Sequence, residues 1–154
     1  GLLDHLKALR VDGILLSPGF NFEANGNPIF MTRQEIIQKF RRIQPLARNY
    51  PLINTPIFMD YLTGRRDLAC TPWGNPTRNV KGWKGPCYMI TDTHYATFRE
   101  LMEQTDWERF EQKRDNRCRH CMTHCGFEPT AMLQAKRSPS DALRMIAWDI
   151  FARG

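Results

Sequence analysis

No apolar run in the 154 residues approaches the length of a membrane span, and no targeting segment is visible, so the expected setting is cytoplasmic. No segment combines a dense basic stripe with interleaved aromatics, which argues against a nucleic-acid surface despite a formal charge of +6. That charge is spread along the chain, with local pairs at Arg41-Arg42, Arg65-Arg66 and Lys136-Arg137 that read as solvated surface. Part of the excess can offset a negatively charged centre. With 42% hydrophobic and 25% charged residues the composition excludes disorder, and the length suits one domain or one and a part. An initiator Met is missing. The chain opens at Gly1-Leu2-Leu3 directly into a helical pattern, which gives the expectation of a fragment whose upstream part is absent.

What the chain has in quantity is cysteine. Cys118, Cys121 and Cys125 stand at C-x2-C-x3-C, three soft ligands within eight residues. Cys70 and Cys87 lie upstream in turn-forming surroundings, Cys70-Thr71-Pro72-Trp73-Gly74-Asn75-Pro76 and Gly85-Pro86-Cys87-Tyr88, where the chain can bend around a cluster. Five thiols leave one over for a four-thiolate site, and His120 and His124 are interleaved as substitutes. Such sets select iron–sulfur clusters, zinc or copper(I) over hard cations. An iron–sulfur cluster, a structural zinc site and plain thiols or disulfides all stay open at this point. The disulfide reading is weakest, because the count is odd and a chain of this size can bury a core without covalent staples.

The periodicity predicts an α/β (α+β) chain. Leu2 to Leu9 is an amphipathic helix, followed by the apolar run Val11–Gly19, which holds a buried-type strand at Ile14–Ser17 and ends in the turn residues Ser17-Pro18-Gly19. In parallel sheets and barrels ligands meet the carboxyl ends of strands, so the loop Phe20 to Pro28, with Asn21, is a candidate ligand-facing connection. Thr32-Arg33-Gln34-Glu35 is a capping box for a helix that Pro45 ends. Thr55-Pro56 starts a compact helix over Ile57–Thr63, stopped by Gly64, whose Phe58, Tyr61 and Leu62 face reads as core. From Asp67 to Ile90, Pro and Gly punctuate short strands, expected as a hairpin that presents Cys70 and Cys87 to the same point. Helices are predicted over Thr97–Glu103, from Thr105 to about Gln112, from Thr130, and from Ser138 onward. In the last of these Leu143, Ile146, Trp148, Ile150 and Phe151 are expected to pack in the core, with a partner or lipid face as the alternative.

Taken together, Cys70-Thr71-Pro72-Trp73-Gly74-Asn75-Pro76-Thr77, Gly82-Trp83-Lys84-Gly85-Pro86-Cys87-Tyr88 and Cys118-x2-Cys121-Met122-x2-Cys125-Gly126-x-Glu128-Pro129-Thr130-Ala131 resemble a known pattern. It is that of the C-terminal region of the hopanoid-biosynthesis radical S-adenosylmethionine proteins, the adenosylhopene transferases. Asp12-Gly13-Ile14-Leu15-Leu16-Ser17-Pro18-Gly19 is similar to a late barrel strand of that family, and Thr105-Asp106-Trp107 fits as well. The resemblance implies an enzyme that cleaves S-adenosylmethionine reductively and adds the 5′-deoxyadenosyl radical to the alkene of a hopene, a hopanoid lipid precursor. It implies residues 1–50 as the end of a radical S-adenosylmethionine barrel and 51–154 as a Cys-rich extension. The family's C-x3-C-x2-C loop for the S-adenosylmethionine cluster is absent, so the missing N-terminal barrel would bind that cofactor and this fragment alone would be inactive. Cys70, Cys87, Cys118, Cys121 and Cys125 are then the expected ligands of a second, [4Fe–4S] cluster, with Asn21, Asn75 and Tyr88 as substrate contacts. A cytoplasmic enzyme peripheral to the membrane is implied. The alternative is a non-catalytic, zinc-stabilised interaction module.

Overall fold

Three threonines end extended stretches and begin helices. In the computed structural model, which describes residues 1–20, 29–112 and 114–153, Thr32, Thr55 and Thr97 each accept a backbone N–H of the first turn on their side chain. Thr32 and Thr97 do so in reciprocal boxes with Glu35 and Glu100, which satisfies donors the helix itself cannot. The helices are α1 (Leu2–Ala8), α2 (Arg33–Ile43), α3 (Pro56–Leu62), α4 (Phe98–Gln104), α5 (Trp107–Glu111), α6 (His124–Arg137) and α7 (Pro139–Arg153). After α2 the chain tightens into a 3-10 segment, Gln44–Asn49, because Pro45 lacks the N–H that would continue the α-helix.

Every residue of α3 is buried. Ile57, Phe58, Met59, Tyr61 and Leu62 pack with Ile36 and Phe40 of α2, with Leu68 and Met122, and with Phe127 and Ala131 of α6. The rings of Tyr61 and Phe127 stack with centroids 4.4 Å apart. A helix buried on every side has to be central. Its C-terminus is closed by Gly64 in the left-handed region (φ +73°), where Ile37 also crowds the space a side chain would take. Helix α7 is tied on by ion pairs: Arg66 holds the buried carboxylate of Asp141 at 3.0 and 3.1 Å, and Arg144 reaches Asp60 of α3 at 2.8 Å.

Beside this helical layer lies a three-stranded antiparallel sheet, β1 (Arg78–Asn79), β2 (Gly82–Pro86) and β3 (Thr91–Tyr95), in the order β1-β2-β3. Trp83 pairs with Tyr95 and Lys84 with His94, with the register slipping between Gly85 and Pro86. Helix α4 covers β2 and β3, and Leu101 is buried under it. The class is therefore α+β, and the barrel remnant is not shown.

Several expectations need correction. The buried-type strand expected at Ile14–Ser17 contributes a single parallel bridge, Ile14 to Leu52. The side-chain amide of Asn54 stands in for the rest of a partner strand, accepting from the Leu16 N–H at 2.8 Å and donating to the Leu16 carbonyl at 2.7 Å. Helix α6 begins at His124 and not at Thr130, carrying Pro129 in its interior. The outer face of α7 is not core: Leu143, Ile146 and Ile150 are exposed, whereas Trp148 packs on the small Ile14, Ala47 and Leu52 cluster, and the side chain of Phe151 lies outside the described part.

Candidate metal centre

Three separate segments deliver the five thiols. Cys70 leaves the core in an extended stretch that runs against the first turns of α6. The Thr71 N–H donates to the Gly126 carbonyl at 3.0 Å, and the Thr71 and Thr130 hydroxyls lie 2.7 Å apart, both buried. Gly126 has no Cβ, and a Cβ built there would overlap the Cys70 Sγ. Glycine at this helical position therefore makes room for a sulfur. The same logic repeats one turn on, where the ring of Pro129 occupies the space above Gly74 in the 3-10 turn Pro72–Gly74. Trp73 of that turn donates its indole N–H to Glu111 at 2.8 Å, which fixes α5 alongside.

Cys87 occupies the turn between β2 and β3. Its N–H donates to the Ile90 carbonyl at 3.3 Å, and the Ile90 N–H donates back to the Cys87 Sγ at 3.4 Å. The turn between β2 and β3 therefore presents Cys87, whereas Cys70 comes from the stretch before the sheet, not from the hairpin as expected.

The third segment is the C-x2-C-x3-C stretch. Cys118 closes a 3-10 turn, Asn116–Cys118, that Asp115 caps by accepting the Arg117 N–H at 3.0 Å. Arg117 then bridges two carboxylates, Asp92 on β3 through two bonds of 2.7 Å and Asp115 at 2.9 Å, and Arg109 of α5 adds 2.7 Å to Asp115. Asp115 is 4% exposed, and its guanidinium partners hold its carboxyl well below the usual carboxylate range. This network pins the Cys118 loop to the strand that follows Cys87. Cys121 and Cys125 share one hydroxyl: Thr123 Oγ1 lies 3.2 Å from the Cys121 Sγ and 3.1 Å from the Cys125 Sγ. Two sulfurs so placed cannot stand further apart than those two distances combined.

All five sulfurs are free, and all five cysteines line one cavity, closed by apolar side chains that include Phe20, Met89, Phe110 and Phe127. Burial raises the thiols of Cys70, Cys87, Cys118 and Cys125, and the neighbouring thiols raise them again. Cys125 is pushed up to about 11 by burial, against the Thr123 hydrogen bond, and Cys118 to about 12 by burial and by Cys87. Cys70 rises further by burial and then by the other four thiols, whereas at Cys87 the backbone N–H groups of Ile90 and Met89 oppose the burial. Five sulfurs this close cannot all ionise without a cation among them.

Among the described residues, no three of His, Cys, Asp and Glu form a group that could hold a single metal ion. One ion bonded at about 2.3 Å would draw its sulfurs to within roughly 4 Å of each other. A polynuclear iron–sulfur cluster fills the space between its thiolates and needs no such contraction. Soft donors, apolar walls and a backbone N–H on sulfur make a set that could hold the second kind of centre. His120 is exposed and His124, though its Nδ1 is buried without a partner among the described residues, does not line the cavity.

Of the substrate candidates, Tyr88 stands at the rim of this cavity, 46% exposed, with Lys84 donating to its carbonyl at 2.9 Å. Asn75 is exposed and ends the 3-10 turn after Cys70, its carbonyl accepting from the Thr77 hydroxyl at 3.3 Å. Asn21 lies outside the described residues. Sequence reasoning missed Thr123, Gly126 and the Arg117 bridge. The glycine directly after Cys125 was the one signal that could have been read.

A family model described as "Domain of unknown function (DUF3463)" matches residues 14–145. No match was found among curated proteins or among solved structures.

Proposed function

The chain belongs to the DUF3463 family, and we propose that it is the C-terminal part of a radical S-adenosylmethionine adenosylhopene transferase. In this reading four of its five cysteines hold an auxiliary [4Fe–4S] cluster, and the surrounding side chains shape the cavity for a hopene. The observation that carries it is the meeting of Cys70, Cys87, Cys118, Cys121 and Cys125, from three segments, in one apolar cavity. Two further points support it. The family is associated with C-terminal regions of radical S-adenosylmethionine proteins, and the ordered Cys-Thr-Pro-Trp-Gly, Gly-Pro-Cys-Tyr and C-x2-C-x3-C motifs stand in one chain.

When bound, such a cluster supplies one-electron chemistry and ligation of soft or anionic groups. The chain's own residues do the rest. The Ile90 N–H and the Thr123 hydroxyl bond to sulfur, and these contacts would draw electron density from a cluster held by those sulfurs. Phe20, Phe110 and Phe127 turn apolar surface toward the cavity that the sulfurs line. Tyr88 at the rim, with Asn75 and Asn21, would contact substrate. S-adenosylmethionine would bind in the barrel upstream of residues 1–50, and the extension 51–154 would close the active site over a lipid. In this reading the hopanoid substrate would be met at a membrane's surface; among the described residues no helix is long and apolar enough to cross a membrane.

Iron and acid-labile sulfide analysis of anaerobically prepared protein tests this reading. About four of each per chain support it. Zinc without sulfide would instead make the chain the non-catalytic, metal-stabilised interaction module. In the full-length enzyme, substituting Cys121 or Asn75 should leave uncoupled S-adenosylmethionine cleavage measurable while lowering adenosylated product. Equal loss of both in folded protein would refute the division of labour.

A further inference from the structure

A [4Fe–4S] centre on four thiolates carries net negative charge, and the cavity that the five cysteines share is walled by apolar side chains. Negative charge placed there calls for a cation close by. Arg117 lines the cavity, but its charge is already matched. It and Arg109 face Asp92 and Asp115, two guanidinium groups against two carboxylates.

Lys84 is placed differently. It pairs with His94 on β2, three residues before Cys87. Its Nζ donates to the Tyr88 carbonyl at 2.9 Å and lies 5.4 Å from the centre of the Tyr88 ring. Tyr88 directly follows Cys87 and stands at the rim of the same cavity. Lys84 is half-buried and makes no ion pair among the described residues. The chain from Leu68 to Thr91 holds no Asp or Glu, so no neighbour in sequence cancels it. Carbonyl and ring fix the ammonium without neutralising it. Its charge reaches the sulfur. Burial raises the Cys87 thiol, and the N–H groups of Ile90 and Met89, followed by Lys84, oppose that rise.

We propose that Lys84 is a positioning residue for the thiolate centre, held on the Cys87 turn to supply the unmatched positive charge that favours the reduced, more negative state of a cluster. This assignment rests on the cluster reading given above.

The test is a redox titration of anaerobically prepared protein followed by electron paramagnetic resonance, with iron and sulfide measured on the same samples. Lys84→Gln keeps a hydrogen-bond donor and removes the charge. It should hold iron and sulfide at the parent's level and lower the midpoint potential. The reduced form should become roughly three- to tenfold scarcer at the parent's midpoint, ~30–60 mV for a one-electron couple. Lys84→Arg, which keeps both charge and donor, should restore the parent's value. Arg119→Gln, an exposed change in the C-x2-C-x3-C stretch, should leave it in place. An unshifted potential in Lys84→Gln overturns the assignment, and so does an equal drop in Lys84→Arg or in Arg119→Gln. Loss of iron and sulfide from Lys84→Gln alone makes Lys84 a structural clamp on the Cys87 turn and overturns it as well. Parent protein that binds no iron and sulfide refutes the cluster reading, and this assignment with it, before any variant is compared.

Discussion

Replacing Gly126 by alanine sets two effects of opposite sign against each other. Helix propensity favours alanine by about 1 kcal/mol at an interior position. Against this, the new methyl group would occupy the space of the Cys70 Sγ, with the Cys70 Cβ and the Thr71 N each 3.8 Å from it. Overpacking at a buried contact costs about 1–3 kcal/mol. If the sulfur holds its place, the sum is a net loss of roughly 0–2 kcal/mol. If it rotates about χ1 instead, most of that loss disappears, but the sulfur then leaves the cavity that the other four thiols share. Where Cys70 is one of the four proposed cluster ligands, unchanged stability and unchanged iron and sulfide are therefore mutually exclusive. Urea denaturation gives the first quantity, and iron and sulfide analysis of anaerobic protein gives the second. The double variant Cys70→Ala/Gly126→Ala removes the overlap and should recover the helix preference, giving a coupling energy of about 1 kcal/mol or more in a double-mutant cycle. Gly126→Ala protein that is about 1 kcal/mol more stable than the parent, with unchanged iron and sulfide, would refute the reasoning.

Other expectations follow from the same contacts. Glu128 caps α3 by accepting the Thr55 N–H at 3.0 Å and the Thr55 hydroxyl at 2.6 Å, and burial raises its carboxyl above the ordinary value. The folded state therefore holds a proton more tightly than the unfolded one, so this group's contribution to stability is full below about pH 4 and is lost as pH rises through the folded value. Glu128→Gln should remove that slope, and urea midpoints from pH 4 to 8 that run parallel for both proteins would contradict it. Asp115→Asn weakens the bonds to Arg109 and Arg117 and should cost about 1–3 kcal/mol, and the proposed cluster should lose iron faster because the Cys118 loop loosens from β3. Phe58→Ala, in a helix buried on every side, should cost about 3–5 kcal/mol by thermal or urea denaturation. His120→Ala, at an exposed position, should leave both stability and iron content unchanged.

What was legible in the sequence is what is decided locally. Thr32, Thr55-Pro56 and Thr97 start helices because a cap needs only a side-chain oxygen and the next three N–H groups, and all three sit where the pattern puts them. The start of α6 was not legible for the opposite reason. Gly126 and Pro129 count against a helix when read alone. They are tolerated because Cys70 packs where Gly126 has no side chain and because Pro129 fills the space over Gly74. Both compensations come from residues more than fifty positions upstream, which no local rule reaches. Leu143, Ile146 and Ile150 pose the same difficulty in reverse: their spacing declares an apolar stripe but not which surface meets it.

The cysteines fall between these cases, and the reason bears on the site's design. Spacing alone brought Cys118, Cys121 and Cys125 together, but it said nothing of the means by which Cys70 and Cys87 reach them. Two kinds of joint do this. One is apolar and backbone-based: Thr71 to Gly126, with the threonine pair beneath it, fixes Cys70 to α6 without any charge. The other is ionic: Arg117 between Asp92 and Asp115 fixes the Cys118 loop to the strand after Cys87. The ionic joint is partly exposed, with Arg117 at 30% and Asp92 at 46%, so salt screens it, whereas the buried joint is indifferent to salt. The Cys70 and Cys125 side is therefore the rigid half of the site and the Cys87 and Cys118 side the half that can give.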